Sequence, residues 1–201
     1  MTSTASGGGL PWVWHEDYGA DIGPHVFPTV KYGEVRARLV EEDVLRQAGL
    51  VRPEPAARQA LARVHDEAYL RKIEERDFTR REMLVLELPP TDSFVHASLL
   101  CADGTTIAGR RALRAGLCLH VGGGFHHAFP DHGEGFCLLN DVAVAIRTLQ
   151  AEGRLRRASV VDCDVHQGNG TAAIFADDPD VFTFSIHQEH NYPFEKPAGD
   201  V

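Results

Sequence analysis

One short segment constrains the fold of this 201-residue chain more than any other. It is β-branched and runs directly into acidic, histidine and glycine residues. The charged pair Arg156 and Arg157 is followed by Ala-Ser-Val-Val-Asp, which indicates a buried strand of a parallel sheet. Gly168 and Gly170 come soon after, where the backbone can turn tightly and start a helix. The pattern therefore predicts a strand, a polar loop and a helix in succession.

The loop after this strand, DCDVH, contains residue types that bind metal ions. Alternate side chains of an extended chain share a face, so we expect Asp162 and Asp164 to point the same way, and His166 as well if the extended conformation continues. A carboxylate and an imidazole suit zinc, which in catalytic sites leaves one position for water. We predict that Asp164 and His166 bind the metal. Asp162 lies deeper in the strand, where a bare carboxylate is costly, so we expect it to orient an imidazole or bind a second cation.

A second strand-like run, residues 117–121, ends in a similar loop about 35 residues upstream. Three glycines follow it, and then His126 and His127. Sites collect at the carboxyl edge of open parallel sheets, and two imidazoles there suit proton transfer as base and acid. Each loop alone has an ordinary explanation, because Asp and His often cap turns and a histidine pair is often only hydrogen-bonded. Together they favour a metal-dependent hydrolase.

Several segments resemble the histone deacetylase superfamily, in the branch typified by class IV and related bacterial proteins. They are GGGFHHAFPDHGEGFCLLNDVAVAI, VVDCDVHQGNGTAAIF and FSIHQEHNYPF. Weaker similarity in HVFPTVKYGEVRARL and RVHDEAYLRKI extends the resemblance over most of the chain from about Pro11. It implies the arginase–deacetylase α/β fold, with a parallel β-sheet flanked by helices. It also implies zinc-dependent hydrolysis of the amide of an N-acetylated lysine or of a related acylated amine.

The resemblance implies roles for the histidine pair and its partners. His126 and His127 become the tandem active-site histidines, and Asp162 should hold His126. His127 would face Asn169, where many relatives have an aspartate. A neutral amide raises the pKa of an imidazole less than a carboxylate does. We therefore expect His127 to stay a free base near pH 7 and to activate water.

Metal and substrate contacts are implied as well. Asp164 and His166 match the zinc ligands of the family, in agreement with their spacing. Gly135 and Phe136 match the wall of the acyl-lysine tunnel, where an aromatic ring packs on the methylene stem; without the motif, Phe136 would be taken for a core residue. Relatives also bind a monovalent cation, potassium, and the residues concerned would here be Asp162, Asp164, His166 and the region of Ser185 and Ile186.

Two parts of the family pattern are not found. The third zinc ligand, a second Asp, and the Tyr that stabilises the oxyanion would lie beyond Val201. We therefore expect residues 11–201 to be the amino-terminal part of a single deacetylase-type catalytic domain, as a fragment or a truncated product. The run Val181 to Ile186 would then expose an unpaired, apolar edge. The alternative function is an inactive fragment or pseudoenzyme that only binds a ligand or a partner. A manganese-dependent ureohydrolase of the same fold is disfavoured, because those enzymes have Asp-rich motifs.

Composition narrows the partners and the location. The formal net charge of −9 argues against a nucleic-acid-binding surface and does not exclude a basic peptide substrate. No apolar run is long enough to span a bilayer, and the opening has no secretory signal pattern, so we predict a cytoplasmic protein without a membrane partner. Four cysteines without CxxC spacing are interpreted as reduced core thiols: Cys101, Cys118, Cys137 and Cys163.

The remaining patterns predict the scaffold. Residues 1–10 are expected to be a flexible tail, and residues 11–14 a first strand. Helices are predicted over residues 31–47, 56–63, 67–76, 94–115 and 138–152 and from about residue 171, and strands over residues 158–163 and 181–186. Five scattered histidines are taken as structural or surface residues, two of them near the substrate rim or the packing of the fold (His25 and His65); the others are His15, His96 and His120.

Overall fold

The computed structural model describes residues 10–199, which contain five short strands, seven α-helices and two short 3-10 helices, Glu16–Tyr18 and Gln47–Gly49. The strands are β1 (Trp12–Val13), β2 (Leu50–Val51), β3 (Leu119–His120), β4 (Ala158–Asp162) and β5 (Val181–Ser185). The helices are α1 (Lys31–Glu41), α2 (Arg58–Leu61), α3 (Glu67–Glu75), α4 (Arg80–Leu86), α5 (Asp92–Ala115), α6 (Asp141–Ala151) and α7 (Asn169–Phe175). None of these helices is long and apolar enough to cross a bilayer. The predicted tail lies, apart from Leu10, outside the described residues.

All the strands pair in parallel. β1 lies between β2 and β3, with Trp12 opposite both Leu50 and Leu119. β4 pairs with β5 over its whole length, as far as Asp162 opposite Ser185. Parallel strands connected through helices confirm the predicted α/β class, although the described strands form two separate ladders rather than one. Among residues 10–199, β5 pairs only with β4 and is therefore an edge strand.

The core lies between the helices and the strands, with α5 packed along α6. Its main apolar cluster contains almost fully buried residues of α3 and α5, such as Leu70, Phe94 and Ala102, together with Leu139 just before α6 and Val144 within it. A second cluster fixes α7 and β5 against α6 and consists of Ala143, Ile146, Phe175 and Val181. Because burial of each large apolar side chain is worth roughly 1.5–3 kcal/mol, these clusters hold the polar loop after β4 in place.

Three helices differ from the sequence-based prediction. α1 ends at Glu41 rather than near Gln47, because Asp43 has a positive φ of 56° and the next two backbone N–H groups bond back to Leu39. This turn buries Leu45 beside Trp12, so tertiary packing overrides the helical pattern. The described α4 was not predicted at all, although its Thr-x-x-Glu start forms a complete capping box. The predicted helix over residues 56–63 shortens to α2.

His65 joins three parts of the fold. Its Nδ1 lies 3.0 Å from the carbonyl oxygen of Phe129, and its Nε2 accepts the backbone N–H of Asn140 at 3.1 Å. The ring is therefore neutral, with the proton on Nδ1. Burial disfavours the charged ring and lowers the pKa of His65 from 6.5 to about 4. Of the two places expected for His25 and His65, the substrate rim or the packing of the fold, His65 lies in the packing.

A pH-dependent loss of stability follows. Because the folded-state pKa of His65 lies below the unfolded value, its contribution is fully present above pH 6.5 and is lost as the pH falls toward 4. The loss should amount to about 3 kcal/mol. Urea unfolding at pH 7 and pH 4 measures it: in His65→Gln, the stability difference from wild type should shrink by about that amount between the two pH values. An unchanged difference would contradict the prediction.

Candidate active site

The glycine loop after β3 is fixed by a buried carboxylate. Gly123 and Gly124 have φ values of 69° and 78°, a region that other residues rarely adopt. The Asp141 side chain, fully buried at the start of α6, accepts the backbone N–H of Gly124 at 3.0 Å and that of Phe125 at 2.7 Å. A Cβ atom on Gly123 would lie 2.3 Å from the same carboxylate. The positions of the two histidines that follow are therefore set by α6.

The loop after β4 meets the glycine loop through the start of α7. The backbone N–H of Thr171 donates to the carbonyl oxygen of His126 at 3.0 Å. Gly170 permits this approach, since a Cβ there would lie 2.3 Å from the carbonyl oxygen of Ala128. The two loops that the sequence analysis singled out are thus in direct contact.

His126 is paired with Asp162, the last residue of β4. Its Nδ1 lies 2.5 Å from Oδ2 of Asp162, and both side chains are mostly buried. Burial alone would raise the pKa of Asp162, but the hydrogen bond and the charge of His126 outweigh it and hold that pKa below its usual value. Asp162 therefore stays ionised and fixes the orientation of the ring. Orienting an imidazole is one of the two roles that the sequence suggested for Asp162.

His127 is paired with Asn169, the first residue of α7. The distance from Nδ1 of His127 to Oδ1 of Asn169 is 2.7 Å, and both residues are buried. Burial, reinforced by the neighbouring His126, lowers the pKa of His127 from 6.5 to about 4. The lowered pKa agrees with the expectation that His127 stays a free base, but its main cause is burial, whereas the hydrogen bond to Asn169 by itself raises the pKa. The His127 ring is neutral at pH 7 and can accept a proton.

Asp164 and His166 come together in the same loop. The extended conformation ends at Asp162, so the condition for His166 to share its face is not met; the carboxylates of Asp162 and Asp164 each accept the backbone N–H two residues ahead. The turns nevertheless bring Nδ1 of His166 to 3.0 Å from Oδ1 of Asp164. The same oxygen lies 4.0 Å from Nε2 of His126. The carboxylate–imidazole pair therefore lies beside the histidine pair.

The donor atoms of Asp164 and His166 fit part of a zinc site. An imidazole nitrogen and a carboxylate oxygen are common zinc ligands, and these two already face each other. Both side chains remain partly exposed, so an ion can reach them. No third histidine, cysteine, aspartate or glutamate within residues 10–199 converges on them to form a group of three.

A cavity of about 320 Å³ is lined by the glycine loop, by the carboxylate–imidazole pair Asp164 and His166, and by the histidine pair His126 and His127. Gly135 and Phe136 form one wall, and both have positive φ, 51° and 68°. Their N–H groups donate to the carbonyl oxygens of Val85 and Leu86 at the end of α4, which holds this unusual backbone in place. The Phe136 ring packs on Phe27, with the ring centroids 5.3 Å apart. The unpredicted helix α4 therefore positions the aromatic wall.

Three residues near the cavity were not singled out from the sequence. Lys31 lines it with its Nζ atom 3.9 Å from the Phe27 ring centroid. Tyr192 packs edge-on against His127, and Glu134 bonds to both Tyr192 and Asn169. All three lie within segments that resemble deacetylases, but their side-chain contacts depend on tertiary structure.

The remaining histidines that were predicted to be structural or surface residues all make contacts within the fold. His25 stacks edge-on against Phe136 at the rim of the cavity, and His120 is held between Tyr18 and Thr105. The other two, His15 and His96, hydrogen-bond to Asp17 near the surface.

All four cysteines are free thiols, but the prediction that all lie in the core was wrong, because Cys163 is exposed in the bend after β4 and Cys118 is half-buried.

Comparison with protein families gives one extensive match. The family described as "Histone deacetylase domain" matches residues 25–201. An uncharacterized protein of Picosynechococcus sp. is 40% identical over 194 residues, which cover 96% of this chain and 65% of that protein. Histone deacetylase 2 of Arabidopsis thaliana is 31% identical over 183 residues, which cover 87% of this chain and 46% of that protein.

Comparison with solved structures supports the same family. The crystal structure of an HDAC homologue complexed with SAHA superposes with a TM-score of 0.81 at 25% identity and covers 94% of this chain and 54% of its own. An HDAC homologue from Aquifex aeolicus gives a TM-score of 0.79 at 26% identity over the same shares of the two chains. The chain thus spans about half to two thirds of the length of the proteins that it matches.

Proposed function

The chain belongs to the histone deacetylase family and has the arginase–deacetylase fold, and on that premise we propose that it is a zinc-dependent deacylase. The proposed reaction is hydrolysis of the amide of an N-acyl-lysine or a related acylated amine to a free amine and a carboxylate. The observation that carries the proposal is the meeting of two loops in one cavity. One loop contributes Asp164 and His166, and the other contributes His126 and His127.

Asp164 and His166 would hold the zinc ion, because their donor atoms already face each other. When bound, zinc polarises the acyl carbonyl group and lowers the pKa of a water molecule. A catalytic zinc usually has three protein ligands, so we expect a further ligand besides these two. The potassium site expected around Asp162 and Ser185 stays a prediction.

The histidine pair would move the protons. His127 is neutral and uses its Nδ1 for Asn169, which leaves Nε2 to accept a proton from the attacking water. His126 is held at Nδ1 by Asp162, and its ring centroid lies 4.1 Å from that of His127, so the proton that His127 takes from water would return through the histidine pair to the leaving amine. Asp162 and Asn169 thus orient the two rings.

The cavity suits a slender acyl-lysine side chain. Its volume of about 320 Å³ lies at the small end of ligand sites. The Phe136 ring, supported by Phe27 and His25, offers an aromatic surface for a methylene stem. We do not propose nucleic-acid binding, because the formal net charge of the chain is −9. An acylated lysine in a basic peptide is compatible with that charge.

A ligand-binding pseudoenzyme is the second candidate, favoured by one observation. Residues 10–199 supply two converging metal ligands rather than three. Under this alternative, the cavity would bind an acylated ligand without hydrolysing it. Zinc stoichiometry after dialysis, measured together with hydrolysis, separates the two candidates.

The direct test of the proposed function is hydrolysis of an acetyl-lysine peptide by the purified chain loaded with zinc. We expect acetate release above the background rate, and we expect a hydroxamate to abolish it, since a crystal structure of an HDAC homologue contains SAHA. Zinc removal with a chelator serves as the control and should stop the reaction. Stoichiometric zinc without any acetate release would support the pseudoenzyme instead.

A further inference from the structure

The Asn169 amide has a second neighbour besides His127, the charged residue Glu134. Nδ2 of Asn169 donates to Oε1 of Glu134 at 2.7 Å, and the Tyr192 hydroxyl donates to the same oxygen at 2.8 Å. The other carboxylate oxygen lies 3.5 Å from Nε2 of His132. Burial would raise the pKa of Glu134, but the hydrogen bonds from His132, Asn169 and Tyr192 hold it below its usual value. Glu134 is therefore an ionised, half-buried carboxylate.

This carboxylate decides which way the Asn169 amide points. An ionised carboxylate can only accept hydrogen bonds, so Asn169 must present its NH₂ group to Glu134. Its carbonyl oxygen then faces Nδ1 of His127, at 2.7 Å. Because that oxygen is only an acceptor, Nδ1 must carry the proton of the neutral ring, and Nε2 is left bare. Without Glu134, the amide could rotate by half a turn and favour the opposite tautomer.

We propose that Glu134 is a positioning residue that acts through the Asn169 amide to hold neutral His127 in the tautomer with an unprotonated Nε2. The inference rests on the proposed function only where it makes Nε2 the proton acceptor. The tautomer itself is a property of the folded protein, whatever reaction it catalyses.

The same contacts make Asn169 and Glu134 a matched pair. An aspartate at position 169 would still accept a hydrogen bond from His127, but it would put a second carboxylate within hydrogen-bond distance of Glu134. Two carboxylates at that distance cannot both stay ionised. An amide at position 169 therefore goes with a carboxylate at position 134, and exchanging the two groups should preserve the arrangement.

The first experiment reads the tautomer of His127 from the ¹⁵N chemical shifts of its ring nitrogens. In the wild-type protein we expect Nδ1 to show the protonated shift and Nε2 the unprotonated one. Glu134→Met removes the acceptor at similar size and should mix the two tautomers, whereas Glu134→Gln can still accept and should largely restore the wild-type pattern. Asp177→Asn, which neutralises an exposed carboxylate just after α7, is the matched control and should change nothing.

A second set of variants keeps the inference testable if Glu134→Met does not fold. Asn169→Asp alone should lower kcat roughly tenfold or more, with KM little changed, because the carboxylates repel and disturb His127. Adding Glu134→Gln to it should bring kcat back to within a few-fold of wild type, since the amide and the carboxylate have then exchanged places. Tyr192→Phe removes the other bond to Glu134 and should leave the tautomer unchanged.

Two results would overturn the inference. One is a His127 tautomer in Glu134→Met that matches the wild type. The other is a double variant that is no more active than Asn169→Asp. Because the shifts are recorded without substrate, an inactive wild-type protein with the expected tautomer would reject the proposed function and leave this inference standing.

Discussion

Replacing His127 by alanine is expected to lower kcat/KM for an acetyl-lysine peptide by about 10²–10⁴-fold, the usual contribution of a general base. The ring is buried, its pKa is lowered to about 4, and its Nδ1 is engaged by Asn169, so Nε2 is the acceptor that the cavity offers. The loss should appear in kcat rather than in KM, because the proton moves only during the chemical step.

His96→Ala is a suitable control for this variant. His96 bonds to Asp17 near the surface, away from the cavity, and its loss should leave kcat/KM unchanged. Zinc content should stay the same in both variants, because neither residue belongs to the metal-binding pair. Full activity in His127→Ala would show that another group activates the water.

The second large effect concerns the metal. Asp164→Ala and His166→Ala should each weaken zinc binding by more than roughly a hundredfold, since loss of a residue that merely orients a ligand already costs about 10–100-fold. Equilibrium dialysis with zinc measures the affinity directly, and hydrolysis should be lost in proportion to zinc content.

Asp177→Ala provides the matched control for the metal variants. Asp177 is an exposed aspartate just after α7. The Asp177→Ala protein should therefore bind zinc as tightly as the wild type. If Asp164→Ala bound zinc as tightly as this control, Asp164 would not be a ligand. The two ligand variants should also unfold at nearly the wild-type urea concentration, because both side chains are partly exposed.

Much of the fold could be predicted from local patterns. The alternation of β4, α7 and β5 follows from β-branched runs and from Gly168 and Gly170, and α3 and α5 follow from apolar periodicity. The end of α1 could not be predicted in this way, because Leu45 leaves the helical path to pack with Trp12 in a separate cluster. α4 could have been found from its capping box, which starts at Thr79.

The candidate site, like the fold, could be predicted only in part from the sequence. Site residues that lie close together in the sequence could be predicted from their spacing and from the family resemblance. They are the pair Asp164 and His166 and the pair His126 and His127. Glu134 could not, since its contact with Asn169 joins positions 35 residues apart and depends on how α7 meets the loop before Phe136. The exposure of Cys163 was missed because the chain bends immediately after β4.

The proposed metal site is tested most directly by X-ray diffraction from a crystal of the zinc-loaded protein, measured at the zinc absorption edge. We expect an anomalous peak in contact with a carboxylate oxygen of Asp164 and with Nδ1 of His166, in the cavity that also contains the rings of His126 and His127. A protein that takes up zinc but shows the peak elsewhere, or shows none between these two side chains, would contradict the assignment of a metal-dependent hydrolytic site.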